Sequence, residues 1–128
     1  MSKQVIRTDA APAPFQGAPY NQAIVANGFA FVSGQLGLKP GDTTLPDGIV
    51  AQTTNVLANL RAILAAAGTG PENVVKTTVF LADFGDFAQM NELYKEFAGS
   101  EAPARSTVQV AKLPSDALIE IEVIALVP

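Results

Sequence analysis

The stretch PARSTVQVAKLPSDALIEIEVIALVP, from Pro103 to Pro128, decides the fold of this chain. It reads as two β-strands joined by a short turn. Along the second strand Ile119, Ile121, Val123, Ala125 and Val127 point one way, while Glu120, Glu122, Ile124 and Leu126 point the other. Along the first, Ser106, Val108 and Val110 share one face, and Arg105, Thr107 and Gln109 share the opposite one. The sheet therefore has an apolar face and a mixed face. The pattern is read with Arg105 and Glu120 together on the mixed face, a cation and a carboxylate on adjacent strands.

Upstream, the hydrophobic period alternates between strand and helix. Lys3 to Thr8 reads as a short strand and Ala10 to Gly17 as a Pro- and Ala-rich loop. Gln22 to Ala26 and Phe29 to Leu36 flank Asn27-Gly28, a type I′ hairpin signal. Leu38 to Gly48, with its Pro and Gly residues, is a flexible connection. Ile49, Thr53, Val56, Leu57, Leu60, Ile63, Leu64 and Ala67 form one helical stripe, stopped by Gly68, Gly70 and Pro71. Val74 to Ala82 is a strand. Asp86 and Gln89 have the spacing of a capping box, and Phe87, Met90, Tyr94 and Phe97 continue as a second amphipathic helix ending at Gly99. The order β-ββ-α-β-α-ββ predicts a single α+β domain over residues 1–128, with a mixed sheet of about six strands and both helices on one face.

A mixed face that carries Ile124 and Leu126 is not a surface to leave in water. A second copy packed sheet to sheet would cover it and place Arg105 and Glu120 at the rim of a symmetric interface, and a monomer with a few exposed aliphatics is the plainer alternative.

Composition narrows the chemistry. The chain has no cysteine and no histidine, which removes thiolate nucleophiles, the commonest metal ligand and the commonest general base. No carboxylate cluster suggests a magnesium site, so neither metal nor cofactor is expected. The net charge is −4, with Lys and Arg scattered singly, which argues against a nucleic-acid partner. The start, MSKQVIRTD, has no apolar core of a signal peptide, and no apolar run approaches membrane-spanning length. A soluble cytoplasmic protein is expected. Walker, Rossmann and nucleophile-elbow motifs are absent.

A few residues retain chemical capacity. Arg105 offers a planar fork for a carboxylate or phosphate, and a surface or structural arginine is the plainer alternative. Glu120, set among Leu118, Ile119 and Ile121, is a carboxylate whose surroundings would raise its pKa toward the range of a general acid or base, and a solvated glutamate or an ion-pair partner of Arg105 is the plainer alternative. Glu122 reads as structural. Ser33-Gly34-Gln35 ends a strand where glycine permits close approach to a ligand, or marks a bulge. Tyr20 sits in a loop where its ring can wall a pocket. Asn91 lies between apolar neighbours on the second helix, as a buried polar contact or as surface.

These residues bring the chain to a known family. Pro103-Ala104-Arg105-Ser106, then Val108, Ala111 and Leu113, then Ile119-Glu120-Ile121, resemble the signature of the RidA (YjgF) family of imine deaminases. Further similarity lies in Gly17 to Gln22, in Ser33-Gly34-Gln35, in Val75 to Leu81, and in Asn91 with Tyr94. The resemblance runs nearly end to end. It implies a fold similar to that of bacillar chorismate mutase, and a homotrimer with a central β-barrel and active sites in clefts between subunits. It implies hydrolysis of 2-imino or enamine acids, such as 2-iminobutanoate and 2-iminopropanoate, to 2-keto acids and ammonia. These intermediates escape from pyridoxal-phosphate enzymes and damage other enzymes. In this picture Arg105 holds the substrate carboxylate and Glu120 handles water. Backbone carbonyls near Gly34 and Thr107 receive the imine nitrogen, and Tyr20, Ser33 and Asn91 line the site.

The chain departs from the commonest pattern at Thr107, where many members have cysteine, and at Gln109, where many have glutamate. Two other readings compete with the deaminase. One is a non-catalytic protein that binds small carboxylates or acts as a holdase or regulator. The other is an endoribonuclease or translation inhibitor, against which the acidic charge and the lack of histidine weigh. Keeping both Arg105 and Glu120 favours catalysis, because binding alone needs only the arginine.

Overall fold

The computed structural model describes residues 2–128. Among them the order is β1 (Gln4–Ile6), β2 (Ala23–Ala26), β3 (Phe29–Gln35), α1 (Ile49–Ala66), β4 (Val74–Leu81), α2 (Phe87–Ala98), β5 (Ala104–Gln109) and β6 (Ile119–Leu126). The expected succession is present, with boundaries displaced by a residue or two. At the first hairpin Asn27 and Gly28 both take left-handed backbone, with φ of 51° and 80°, and Ala26 pairs with Phe29. That is the geometry an Asn-Gly turn favours, because its twist matches that of the strands.

The strands lie in the order β1-β2-β3-β6-β4-β5. β4 and β5 are parallel, and every other neighbouring pair is antiparallel. The C-terminal strand thus inserts between β3 and β4, where it is paired on both sides. The connections through α1 (β3 to β4) and through α2 (β4 to β5) progress in the same direction across the sheet. Right-handed crossovers then deposit both helices on one face.

That face holds the main core. Ile119, Ile121 and Ala125 are fully buried, as are Val79 and Leu81 of β4, and Val56, Leu60, Ile63 and Leu64 of α1. Met90 and Phe97 of α2 close the same cluster. The α1 stripe read from the sequence is the buried face of that helix.

Two local expectations are corrected. Asp86 makes no side-chain cap, because a 3-10 turn over Phe84–Asp86 leads into α2 and gives Asp86 helical backbone, with φ −83° and ψ 0°. The capping carboxylate is Asp83, whose Oδ1 accepts from the Gly85 amide at 2.8 Å. A capping box needs an extended residue at the helix start, and that condition is met three residues earlier. The second correction concerns β5 and β6, which are not adjacent: β4 lies between them. Their connection passes over the end of β4, marked by Val110 N–H bonding to Leu81 O at 2.9 Å and Ala82 N–H to Leu118 O at 3.0 Å.

The other face of the sheet carries no helix. Phe31, Val108 and Leu126 are each more than two-fifths exposed there, with Ile24 and Ile124 half-buried beside them. No helix among the described residues is long and apolar enough to cross a membrane.

Candidate active site

Glu120 lies on the open face of β6, in one row with Phe80 of β4 and Val108 of β5. Opposite it β3 is irregular. Val32 pairs with Val123 and Gln35 with Ile121, so β3 takes three steps where β6 takes two. This bulge holds Ser33 and Gly34. Ser33 is fixed by two bonds: its Oγ donates to Asn21 O at 2.6 Å, and its amide donates to Gln22 O at 2.9 Å. Gly34 lies directly against the Glu120 carboxylate.

Tyr20 joins this group. Its hydroxyl accepts from the Phe15 amide at 2.6 Å, which leaves the hydroxyl proton free to donate. Gln16 and Gly17 are both left-handed, with φ of 52° and 69°, and turn the chain back toward Tyr20. Tyr20, Ser33, Gly34 and Glu120 line one pocket of about 360 Å³, whose apolar walls include Phe15, Leu36 and Pro114. Burial raises the Glu120 carboxyl above its ordinary value of 4.5, and neighbouring Glu122 adds to the rise.

Arg105 stands on the helix-covered face. Its partner in the parallel register is Thr77, and Thr77 in turn pairs with Val123, so all three share the core side. α2 receives the guanidinium with residues spaced along one stripe. Asn91 Oδ1 accepts from Nη1 at 2.8 Å. The Tyr94 and Phe87 ring centroids lie 4.8 Å and 5.5 Å from Cζ, within cation–π range. Arg105 and Asn91 line a second pocket of about 470 Å³, bounded by Lys95, Gly99 and Pro103. Neither Arg105 nor Glu120 enters an ion pair among the described residues.

The expectation that Arg105 and Glu120 share a face is therefore overturned. The partition of β5 into two sets of residues holds, but its assignment to faces is inverted. Val108 of the edge strand β5 faces the open side, while Arg105 is held under α2 by an amide and two rings. Two strand spacings, roughly 9.5 Å, also separate the strands that bear the two residues. The candidate residues therefore fall into two separate groups, Tyr20, Ser33, Gly34 and Glu120 around one pocket and Asn91 and Arg105 around another.

Thr107 joins neither by a direct bond. It lies on the Arg105 side of β5, and its buried Oγ1 has no hydrogen-bond partner among the described residues. Gln109 is structural, with Oε1 accepting from the Phe84 amide at 2.8 Å. No group of three or more Asp or Glu residues gathers at metal-binding range among the described residues.

A set of buried amides escapes a reading based on apolar period. Asn59 Nδ2 donates to Leu36 O at 3.1 Å and Leu38 O at 2.7 Å; Asn55 Nδ2 donates to Gly37 O at 3.0 Å. Gln52 bridges Pro46 O and the Leu118 amide, each at 2.9 Å. These α1 side chains pin the segment after β3, and with it the Leu36 wall of the Glu120 pocket. Their spacing at 52, 55 and 59 along one side of the helix is the signal that a polar stripe beside the apolar one offers. Gln22 acts alike, with Oε1 accepting from the Thr8 amide at 2.7 Å and Nε2 donating to Pro12 O at 2.8 Å.

This architecture, a six-stranded α+β sheet with two helices on one face, is shared by known proteins. Residues 8–127 match the family model described as Endoribonuclease L-PSP. The chain belongs to this family, which is also that of the RidA deaminases. It is 50% identical to a RutC family protein of Synechocystis, over all of this chain and 99% of the relative. It is 46% identical to the mouse protein named 2-iminobutanoate/2-iminopropanoate deaminase, over 96% of this chain and 90% of the relative. Among solved structures, E. coli TdcF with bound serine superposes with a TM-score of 0.90 at 39% identity, covering 96% of this chain and 98% of that one.

Proposed function

We propose that this protein hydrolyses 2-imino acids, among them 2-iminobutanoate and 2-iminopropanoate, to 2-keto acids and ammonia. The observation that carries the reading is Glu120, a carboxylate with a raised pKa in a largely apolar pocket, together with an Arg105 that makes no ion pair among the described residues. The mouse relative is named 2-iminobutanoate/2-iminopropanoate deaminase, which supports the reading. The E. coli relative's bound serine is a small amino acid whose carboxylate matches the fork of Arg105.

In the proposed reaction Arg105 grips the carboxylate beside the C=N carbon. Glu120 accepts a proton from a water whose oxygen attacks that carbon, and returns the proton to nitrogen. The hydroxyl proton of the resulting carbinolamine then passes through Glu120 to the same nitrogen, and the C=O bond forms as the C–N bond breaks and ammonia leaves. Gly34 and Thr107 offer backbone carbonyls to the imine nitrogen. Orientation and proton transfer are the required contributions.

Because the two groups lie on opposite faces of the sheet, the proposed cleft is built between copies, Arg105 with Asn91 from one and Glu120 with Tyr20 and Ser33 from the next. The bare face bearing Phe31, Ile124 and Leu126 provides the apolar surface for that packing. A homotrimer is the assembly proposed.

Coupling the protein to threonine dehydratase tests the reading. Wild type accelerates release of 2-ketobutyrate from the imine, and Arg105→Ala does not. A wild type without effect, or a variant equal to it, would sink the proposal. A protein that only binds carboxylates needs Arg105 alone, so loss of turnover in Glu120→Gln with retained carboxylate binding separates catalysis from binding.

A further inference from the structure

We infer that Thr77 and Tyr94 together form a positioning device for Arg105; this rests on the role given to Arg105 above. Thr77 is fully buried and is the register partner of Arg105 on the core side of the parallel β4–β5 pair. Tyr94 is 6% exposed, and its hydroxyl lies 2.7 Å from Thr77 Oγ1. The ring of the same tyrosine supports the guanidinium at 4.8 Å. Thr77, Tyr94 and Arg105 close a triangle of three contacts: backbone register, a hydroxyl–hydroxyl bond, and a cation over a ring.

The hydroxyl pair is costly in a core, since each member left alone is a buried unsatisfied group. Valine and phenylalanine would fill nearly the same volume without that requirement. What the pair adds is direction. A hydrogen bond at the para position fixes where the ring lies under Arg105, which packing against Phe97 (centroids 6.2 Å apart) does not do by itself. Asn91 takes one guanidinium N–H and leaves the rest of the fork for a ligand in the neighbouring groove. Misplacing a clamp by an ångström is enough to weaken a reaction that depends on orientation.

Thr77 touches no reacting atom in this account and acts only through Tyr94. The test compares full-length Thr77→Val, which keeps the shape and loses the hydroxyl, with Thr77→Ser, which keeps the hydroxyl and loses a methyl. Two quantities are read: KM and kcat for imine hydrolysis, and affinity for 2-oxobutanoate by isothermal titration calorimetry. Thr77→Val is expected to raise KM and weaken 2-oxobutanoate binding about three- to tenfold, with a smaller change in kcat, and Thr77→Ser to restore both. Wild-type KM and affinity in Thr77→Val, with only its thermal midpoint moved, would overturn the inference. If Thr77→Val does not fold, Tyr94→Phe takes its place, keeping the ring and losing the bond. A wild type that binds 2-oxobutanoate without hydrolysing imines would end the deaminase reading, and the affinity comparison would still decide the role of Thr77. A wild type that binds no carboxylate overturns both.

Discussion

Gly34 is pressed against the carboxylate of Glu120. A β-carbon built at residue 34 would meet Oε2 and lie 2.7 Å from Cδ and 3.0 Å from Cγ. The bulge in β3 sets this approach, and only a residue without a side chain accommodates it. The obstacle is the mobile end of a side chain, so a larger residue displaces Glu120 and leaves the fold intact.

Gly34→Ala is therefore expected to reduce imine hydrolysis while barely changing stability. General acid–base groups contribute about 10²- to 10⁴-fold, and a displaced carboxylate forfeits part of that, at least about tenfold in kcat/KM. Steady-state kinetics beside thermal denaturation checks the split. A large fall in the denaturation midpoint with unchanged kcat/KM would contradict it.

The raised pKa of Glu120 links activity and stability to pH. In the unfolded chain this carboxyl returns to about its ordinary 4.5, so in the interval between that value and the raised one the folded protein binds more protons. Stability then falls as pH rises through the interval and stays lower above it. Glu120→Gln removes the dependence and stabilises the protein relative to wild type at neutral pH, at the expense of turnover. Denaturant unfolding of both proteins on either side of the interval reads the sign. In the wild type, the ascending limb of the rate against pH is expected above 4.5 and not at the usual carboxylate position.

If each cleft takes Arg105 from one copy and Glu120 from the next, two inactive variants complement each other. Arg105→Ala and Glu120→Gln, unfolded and refolded together in equal amounts, would regain about a quarter of wild-type activity, because that fraction of clefts pairs two intact halves. Each refolded alone stays inactive. Phe31→Asp on the bare sheet face is expected to give a monomer by light scattering and to abolish the recovery. Activity retained in that monomer would refute the shared cleft.

Gly37 tests the anchoring of the segment after β3. A β-carbon there would lie 2.6 Å from Gln52 Cα and 2.7 Å from its carbonyl oxygen, both backbone atoms of a packed helix. Neither can move aside, in contrast to Glu120 at Gly34. Gly37→Ala is expected to cost about 1–3 kcal/mol, measured as a lower urea midpoint. Because Leu36 walls the Glu120 pocket, turnover should fall as well.

Much of this was legible in residue order. The alternation from Ile119 to Val127 marked the buried side of β6, the stripe from Ile49 to Ala67 marked the buried side of α1, and Asn27-Gly28 marked its turn. Each signal is local: a period of two, a period near 3.6, or a dipeptide with a backbone preference. Tyr20, Ser33, Gly34 and Glu120 were singled out in the sequence, and the fold gathers them in one pocket. The face of Arg105 was not legible, nor was the strand between it and Glu120.

By itself, then, the sequence determined the elements, their order and the family, because short-range periodicity and a nearly end-to-end signature survive without coordinates. Only the tertiary structure decided that β6 inserts between β3 and β4, so that β4 parts the two C-terminal strands. Only it decided that Arg105 turns inward to Asn91 and Tyr94 while Glu120 turns outward to Gly34. Strand order and the face of an edge strand depend on which partners the crossovers bring alongside, and that is long-range packing, which alternation within one strand does not encode.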